Sequence, residues 1–280
     1  MLLLLLGCSG SEPIAPPAAP VVVATSFPAW YLAARLAPAL EVRCILPPGE
    51  DPQTWQPDGA LIASLASADL IVTVGAGYEA WTQTAALPES RVVDLSAEIA
   101  LIELEETTHS HGIGGAHSHA GIDPHTWLDP VEYAVQARTL AARLAALTTV
   151  DAAPLLGELA VLEAGYAAVL SDPSLPVLQA NHPAYHYLAR RHSLTIPSLD
   201  LDPSTPPAEP IALADGTVLL WETAPDAAVI DAIQAQHVVL DPLEQPPADG
   251  PYDYRLQSEA NIAQLKALLA DPPAGDDSHP

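Results

Sequence analysis

Asp69-Leu70-Ile71-Val72-Thr73-Val74 runs straight into Gly75-Ala76-Gly77. A short apolar, β-branched run that halts on glycines reads as a strand buried on both faces, as in a parallel sheet covered by helices. Working outward, residues 21–24, 42–46 and 92–95 have the same character, and helical patterns at 29–36 and 59–67 separate the first three strands. Helical spacing returns at 130–147 and 154–170. The alternation then restarts, with strands at 177–180, 217–221 and 238–240 and helices at 183–191, 226–236 and 261–269. Strands alternating with helices in two separate runs predict two α/β lobes, each with a mainly parallel sheet, joined through the central helical region. Ligands of such folds settle in the cleft at the carboxyl ends of the strands. Gly75 and Gly77 lack the third glycine of a phosphate loop, so a tight turn is the expectation there.

Composition narrows the function classes. Hydrophobic residues make up 49% of the 280-residue chain and charged ones 16%, which is a globular balance. Thirty-five acidic residues stand against 9 lysines and arginines, a formal charge of -26. Such a surface repels phosphate backbones and anionic lipid, which argues against nucleic acid as a partner. At the start, the apolar run from Leu2 to Leu6 ends in Gly7-Cys8-Ser9. An apolar stretch, a small residue and then cysteine is the pattern of a bacterial lipoprotein signal, with Cys8 as the lipidated residue and a lipid anchor as the only membrane contact. The expected location is the cell envelope, in the periplasm or on the outer face of the membrane. Cys44 then stands alone in an apolar run and reads as a buried thiol, with no disulfide framework.

Three segments place a metal-capable side chain at a strand or helix boundary: Asp123-Pro124-His125-Thr126-Trp127-Leu128-Asp129-Pro130, Asn181-His182-Pro183-Ala184-Tyr185 and Leu240-Asp241-Pro242-Leu243. Taken singly, each is ordinary: a histidine near a helix start, or an Asp-Pro turn. Together, His125, His182 and Asp241 form a donor set of two imidazoles and a carboxylate, which suits zinc; manganese or iron would ask for a higher coordination number. The stretch 103–119 is acidic, glycine-bearing and histidine-rich, with His109, His111, His117 and His119 in two His-x-His pairs. It reads as a mobile surface loop that collects metal loosely, or equally as a solvated low-complexity loop. His186, His192, His237 and His279 show no such grouping and read as structural or solvent-facing.

The order of these segments, with Pro48-Gly49-Glu50-Asp51-Pro52-Gln53-Thr54-Trp55 ahead of them and Gly75-Ala76-Gly77-Tyr78-Glu79-Ala80-Trp81 between, resembles the zinc and manganese receptors of bacterial ABC importers. The resemblance spans about residues 21–269. It implies two lobes bridged by a long rigid helix (151–172 here), one metal ion in the inter-lobe cleft, a monomer, and an importer permease as partner. It divides the chain into signal and tether (1–20), N-terminal lobe (21–150), bridging helix, C-terminal lobe (173–270) and tail (271–280). It also implies that His125, His182 and Asp241 are ligands.

One departure stands out. Where the family carries a further histidine ligand, this chain has Gln53, whose neutral amide oxygen is a poorer zinc donor. Gln53 or water is the favoured fourth ligand; Glu50, or a loop histidine such as His117 or His119, is the alternative. Two other functions fit parts of the pattern. An envelope metallochaperone or adhesin would use the same fold. A zinc hydrolase would need a general base such as Glu50 or Glu222, but no His-Glu-x-x-His element or nucleophile elbow is present.

Overall fold

A computed structural model describes residues 19–104, 107–111, 115–119 and 121–270. The decisive strand is where the sequence places it. β1 (Val21–Ala24), β2 (Glu41–Cys44), β3 (Leu70–Thr73) and β4 (Val92–Asp94) form a four-stranded sheet in the order β2-β1-β3-β4. Every neighbouring pair in it is parallel. α1 (Phe27–Leu36) and α2 (Gly59–Leu65) supply the crossovers. β3 is buried at every position, as a central strand covered on both faces must be.

The turn after β3 depends on its glycines. Gly75, Ala76 and Gly77 all have positive φ, at 82°, 53° and 81°. A Cβ on Gly75 would lie 1.7 Å from the Asp94 carboxylate, so no other residue fits there. This is the tight turn expected from the sequence. Its amides are held by protein groups: Glu79 accepts from Val74 and Gly75 N–H at 2.9 and 3.3 Å, and Ser96 Oγ accepts from Ala76 N–H at 3.0 Å.

The histidine-rich stretch differs from its expectation. β5 (Thr107–His111) and β6 (Gly115–His119) pair antiparallel, with His109 opposite His117. A His-x-His repeat has the period of two that a strand requires, and β-branched Thr107 and Thr108 open the pair. Composition alone concealed that order.

α3 (Pro130–Leu144) follows, started by Asp129, whose carboxylate accepts from the Val131 N–H at 2.8 Å. α4 (Ala153–Leu170) is the long helix between the lobes, about 27 Å at 1.5 Å per residue. By length and composition alone it could cross a membrane, although no segment past the N-terminus is expected from the sequence to reach that length. Yet Leu155, Leu159, Leu162, Tyr166 and Val169 form one buried stripe, which packs into the main core.

The second lobe carries β7 (Val177–Ala180), α5 (His186–Arg191), β8 (Ile211–Ala212), β9 (Thr217–Trp221), α6 (Ala227–Ala232), β10 (Ile233–Gln234), β11 (Gln236–Val239) and α7 (Tyr254–Ala270). Its three-stranded sheet, β11-β9-β7, is parallel. The helix expected over 226–236 stops at Ala232, because Ile233 leaves it to pair with Ile211 of β8. β-Branched Ile233 is buried in that pairing, and burial outweighs a weak helical pattern.

One hydrophobic core runs through both lobes and the bridging helices. Tyr133 and Tyr254 pack within it with ring centroids 4.2 Å apart and planes tilted by 37°, and Tyr31 and Tyr252 adjoin them. Gly165 of α4 lets α7 approach closely, since a Cβ there would stand 2.8 Å from Ile262 Cδ1. Cys44, expected in the core, is half-buried at the core's edge, and burial pushes its thiol up to about 11.

Candidate metal centre

His125 enters the cleft on a short turn. The peptide before Asp123 is fixed by the Asp123 N–H donating to Ile102 O at 2.9 Å, and Asp123 Oδ1 in turn accepts from the His125 N–H at 2.9 Å. The same carboxylate oxygen meets His125 Nδ1 at 2.7 Å. A carboxylate on Nδ1 fixes the ring's orientation and tautomer and leaves Nε2 as the working nitrogen. Trp127 and Tyr78 pack around the ring at 5.3 and 6.4 Å. Asp123 is fully buried, and its other oxygen meets His186 Nδ1 at 2.9 Å, so His186 has a part that spacing did not reveal.

His182 comes from the opposite lobe. It follows β7 by two residues, and Asn181 sets the corner: its N–H donates to Leu220 O, its Nδ2 donates to Leu201 O, and its Oδ1 accepts from the Glu222 N–H. The two imidazoles, 57 residues apart in sequence, meet with centroids 5.5 Å apart and planes at 80°. They are 1% and 2% exposed, so the site is desolvated.

The carboxylate that faces His125 is not Asp241 but Glu244, whose Oε1 lies 3.1 Å from His125 Nε2. Asp241 stands behind it. Its Oδ1 accepts from the Leu243 N–H and its Oδ2 from Gln257 Nε2, both at 2.8 Å. Burial pushes the Asp241 carboxyl up from its ordinary range. The sequence reading missed Glu244 because the chain turns sharply at Leu243, with φ +60°. The available signal was a glutamate two residues past the Asp-Pro pair.

The segment that carries Glu244 is held carbonyl by carbonyl. Tyr185 OH donates to Leu240 O, Asn261 Nδ2 to Asp241 O, Trp127 Nε1 to Pro242 O, Tyr252 OH to Leu243 O, and Gln257 Nε2 to Gln245 O. Saturation by buried side chains preorganises the residues that face the cleft.

Proton energetics follow from this geometry. Burial alone would lower His125, but the Asp123 charge and hydrogen bond, with Glu244 beyond, more than offset it and raise the ring to about 10. Burial alone would raise Asp123, and the two imidazoles bring it below the usual carboxylate range. His125 thus sits between two carboxylates, each of which favours its protonated form. Among the described residues, no three His, Cys, Asp or Glu side chains converge closely enough to hold an ion as they stand.

Outside Glu244 the site opens into a cleft of about 560 Å³, walled by Glu50 and Asp51 from one lobe and by Glu222, Asp241 and Glu244 from the other. Five carboxylates on both walls favour a cation over an anion. Glu50 is exposed at the rim. Gln53 is half-buried in the following turn, its N–H donating to Asp51 Oδ1 at 2.8 Å. Cys8 lies outside the described residues. The same holds for the side chains of His109, His111, His117 and His119.

The sequence profile of the periplasmic zinc-uptake complex component A matches residues 22–268. The zinc-binding lipoprotein AdcA of Streptococcus pneumoniae serotype 4 is 25% identical over 206 residues, covering 68% of this chain and 40% of that protein. The high-affinity zinc uptake system protein ZnuA of Bacillus subtilis is 24% identical over 202 residues, covering 67% of this chain and 63% of that one. This chain thus spans about two fifths of the length of the streptococcal relative. Its fold is similar to that of Zn(II)-bound AdcA from Streptococcus pneumoniae, with a TM-score of 0.73 at 20% identity over 93% of this chain and 61% of the other.

Proposed function

Since the chain belongs to the family of periplasmic zinc-uptake components, we propose that it captures a zinc ion in the inter-lobe cleft and presents it to the permease of an ABC importer. The observation that carries this reading is that buried His125 has His182 beside it on one side, ring centroids 5.5 Å apart, and Glu244 at 3.1 Å on the other, next to an acidic cleft. Two imidazoles and one carboxylate are a zinc donor set.

In this reading the ion is drawn into the cleft by its carboxylates. It then displaces the proton shared by His125 and Glu244. Asp123 keeps His125 Nε2 pointed at the ion, and the imidazole of His182 binds from the other lobe. Asp241 supports the Glu244 segment through Leu243 and Gln257, and Gln53 or a water completes four-coordination. A neutral amide or water in place of an imidazole weakens the site, which suits a carrier that must release its cargo. The cargo is released intact, so the site acts as a receptor with no catalytic residue. Cys8 is the lipid attachment point, which keeps the receptor, a monomer, beside the membrane.

The test is zinc content and competition affinity of the soluble domain, beside His125→Ala, His182→Ala, Glu244→Ala and Asp241→Ala. The reading requires one tight equivalent in the parent and none in the first three variants. Zinc held as tightly by Glu244→Ala as by the parent would return the carboxylate role to Asp241. No tight zinc in the parent would sink the receptor reading.

A further inference from the structure

The two walls of the cleft are not held alike. The 240–245 segment is gripped by side chains at nearly every carbonyl. Opposite it, Pro47, Pro48, Gly49 and Glu50 form an exposed turn, closed by a backbone bond from the Glu50 N–H to Pro47 O at 3.2 Å. One side chain joins the two. Gln245 Oε1 accepts from the Gly49 N–H at 3.1 Å, and Gln245 Nε2 donates to Glu50 O at 2.8 Å.

This bridge spans 195 to 196 residues of sequence and uses both ends of one amide. It needs the Gly49 N–H turned outward, which the left-handed conformation of Gly49 (φ +86°) provides, with no contact waiting for a Cβ. Gln245 is itself anchored, since Gln257 Nε2 donates to its carbonyl at 3.0 Å and also to Asp241 Oδ2. Its neighbour Glu244 is the carboxylate on His125. The exposed turn leads directly into Asp51 and Gln53, which the Asp51 carboxylate and carbonyl hold as a unit. One rigid segment therefore presents a carboxylate to the buried histidine and, at the next residue, fastens the turn over the mouth.

We propose that Gln245 is a clasp between the lobes, a positioning residue that pins the 47–51 turn across the cleft and so sets how long a captured ion stays. The inference rests on the receptor reading for its consequence, but the clasp itself is a contact that can be tested without metal. A glutamine suits the role because it supplies one donor and one acceptor together. Glutamate keeps the acceptor for Gly49 and sets a second oxygen against Glu50 O, and alanine removes both bonds.

The experiment compares the parent with Gln245→Ala and Gln245→Glu in two measurements. The first is deuterium uptake of the 45–55 peptide without metal. The second is the rate at which a chelator strips zinc, read by stopped flow, with Co(II) absorption as a report on the ligand set. Both variants should raise uptake in that peptide and speed zinc release about three- to tenfold, the loss of one or two hydrogen bonds. The Co(II) spectrum should stay unchanged. Unaltered uptake would overturn the clasp. So would an unchanged release rate, or a shifted Co(II) spectrum, which would mean that Gln245 acts through the ligands. A parent that holds no zinc while uptake still rises in the variants would overturn the receptor reading and leave the lobe contact standing.

Discussion

His125 owes its chemistry to two neighbours that differ in kind. Asp123 is close in sequence and orients the ring, whereas Glu244 is 119 residues away and shares its proton. With the ring raised to about 10 by these carboxylates, the proposed capture of zinc requires the displacement of a proton. Calorimetric titration with zinc in buffers of different ionisation enthalpy should therefore report about one proton released per ion. Asp123→Asn should weaken zinc by about 10–100-fold, the usual cost of losing the partner that orients a ligand histidine. The same substitution has a pH signature in the ion-free protein. A histidine raised on folding stabilises fully below its ordinary value of 6.5 and loses that contribution as pH climbs through about 10. The stability gap between parent and Asp123→Asn, read by denaturant titration, should be widest from neutrality down to the acid range where Asp123 itself protonates, and should close above pH 10.

Elements position these residues by means that can be tested apart from the metal. α4 and α7 pack closely enough that Gly165 has no room for a branched side chain beside Ile262. Gly165→Leu should cost about 1–3 kcal/mol of stability by overpacking. Gly157, in the same helix, faces open space, and Gly157→Ala should stabilise by about 0.5–1 kcal/mol through helix propensity. Urea titrations of the two variants should move in opposite directions. The β5–β6 hairpin is closed at its base by the Glu103–Ile122 bridge and by the Leu104 N–H donating to Gly121 O at 3.1 Å. Its removal leaves two ends already side by side. Deletion of residues 107–119 should therefore keep the tight zinc site, seen as an unchanged stoichiometry of one in competition titration.

At the scale of the whole molecule, the lobes share one core and are strapped together by α5. Arg190 pairs with Glu132 and Arg191 with Asp129, both at 2.9 Å, and Tyr187 OH donates to Asp123 O at 2.8 Å. A continuous core favours small movements over a wide hinge opening, so exchange of the ion falls to local groups at the cleft mouth. An ion bound to both lobes stabilises the folded state by mass action. Zinc at a thousand times its dissociation constant should add about 4.1 kcal/mol. For a domain of this size that is a rise in melting temperature of about 8–16 °C, reversed by a chelator and absent from Glu244→Ala.

Much of this was legible before any coordinates. Leu70 to Thr73 had to be a buried parallel strand, because a short uncharged run rich in β-branched residues has no polar face to turn to water. The glycines after it had to be a turn, and the boundary positions of His125 and His182 marked them as candidates for one site, where the fold brings the two rings together. Local composition determines such things. Pairing is different, because it depends on which surfaces meet after burial. Whether Asp241 or Glu244 faces His125 was decided by a single left-handed residue, Leu243, and by five side chains that fix the carbonyls around it. Ile233 left its helix because a strand partner lay within reach only in the folded chain. Gln245, an unremarkable residue in the sequence, became a bridge because the fold brought an outward-turned amide and carbonyl to it across the cleft.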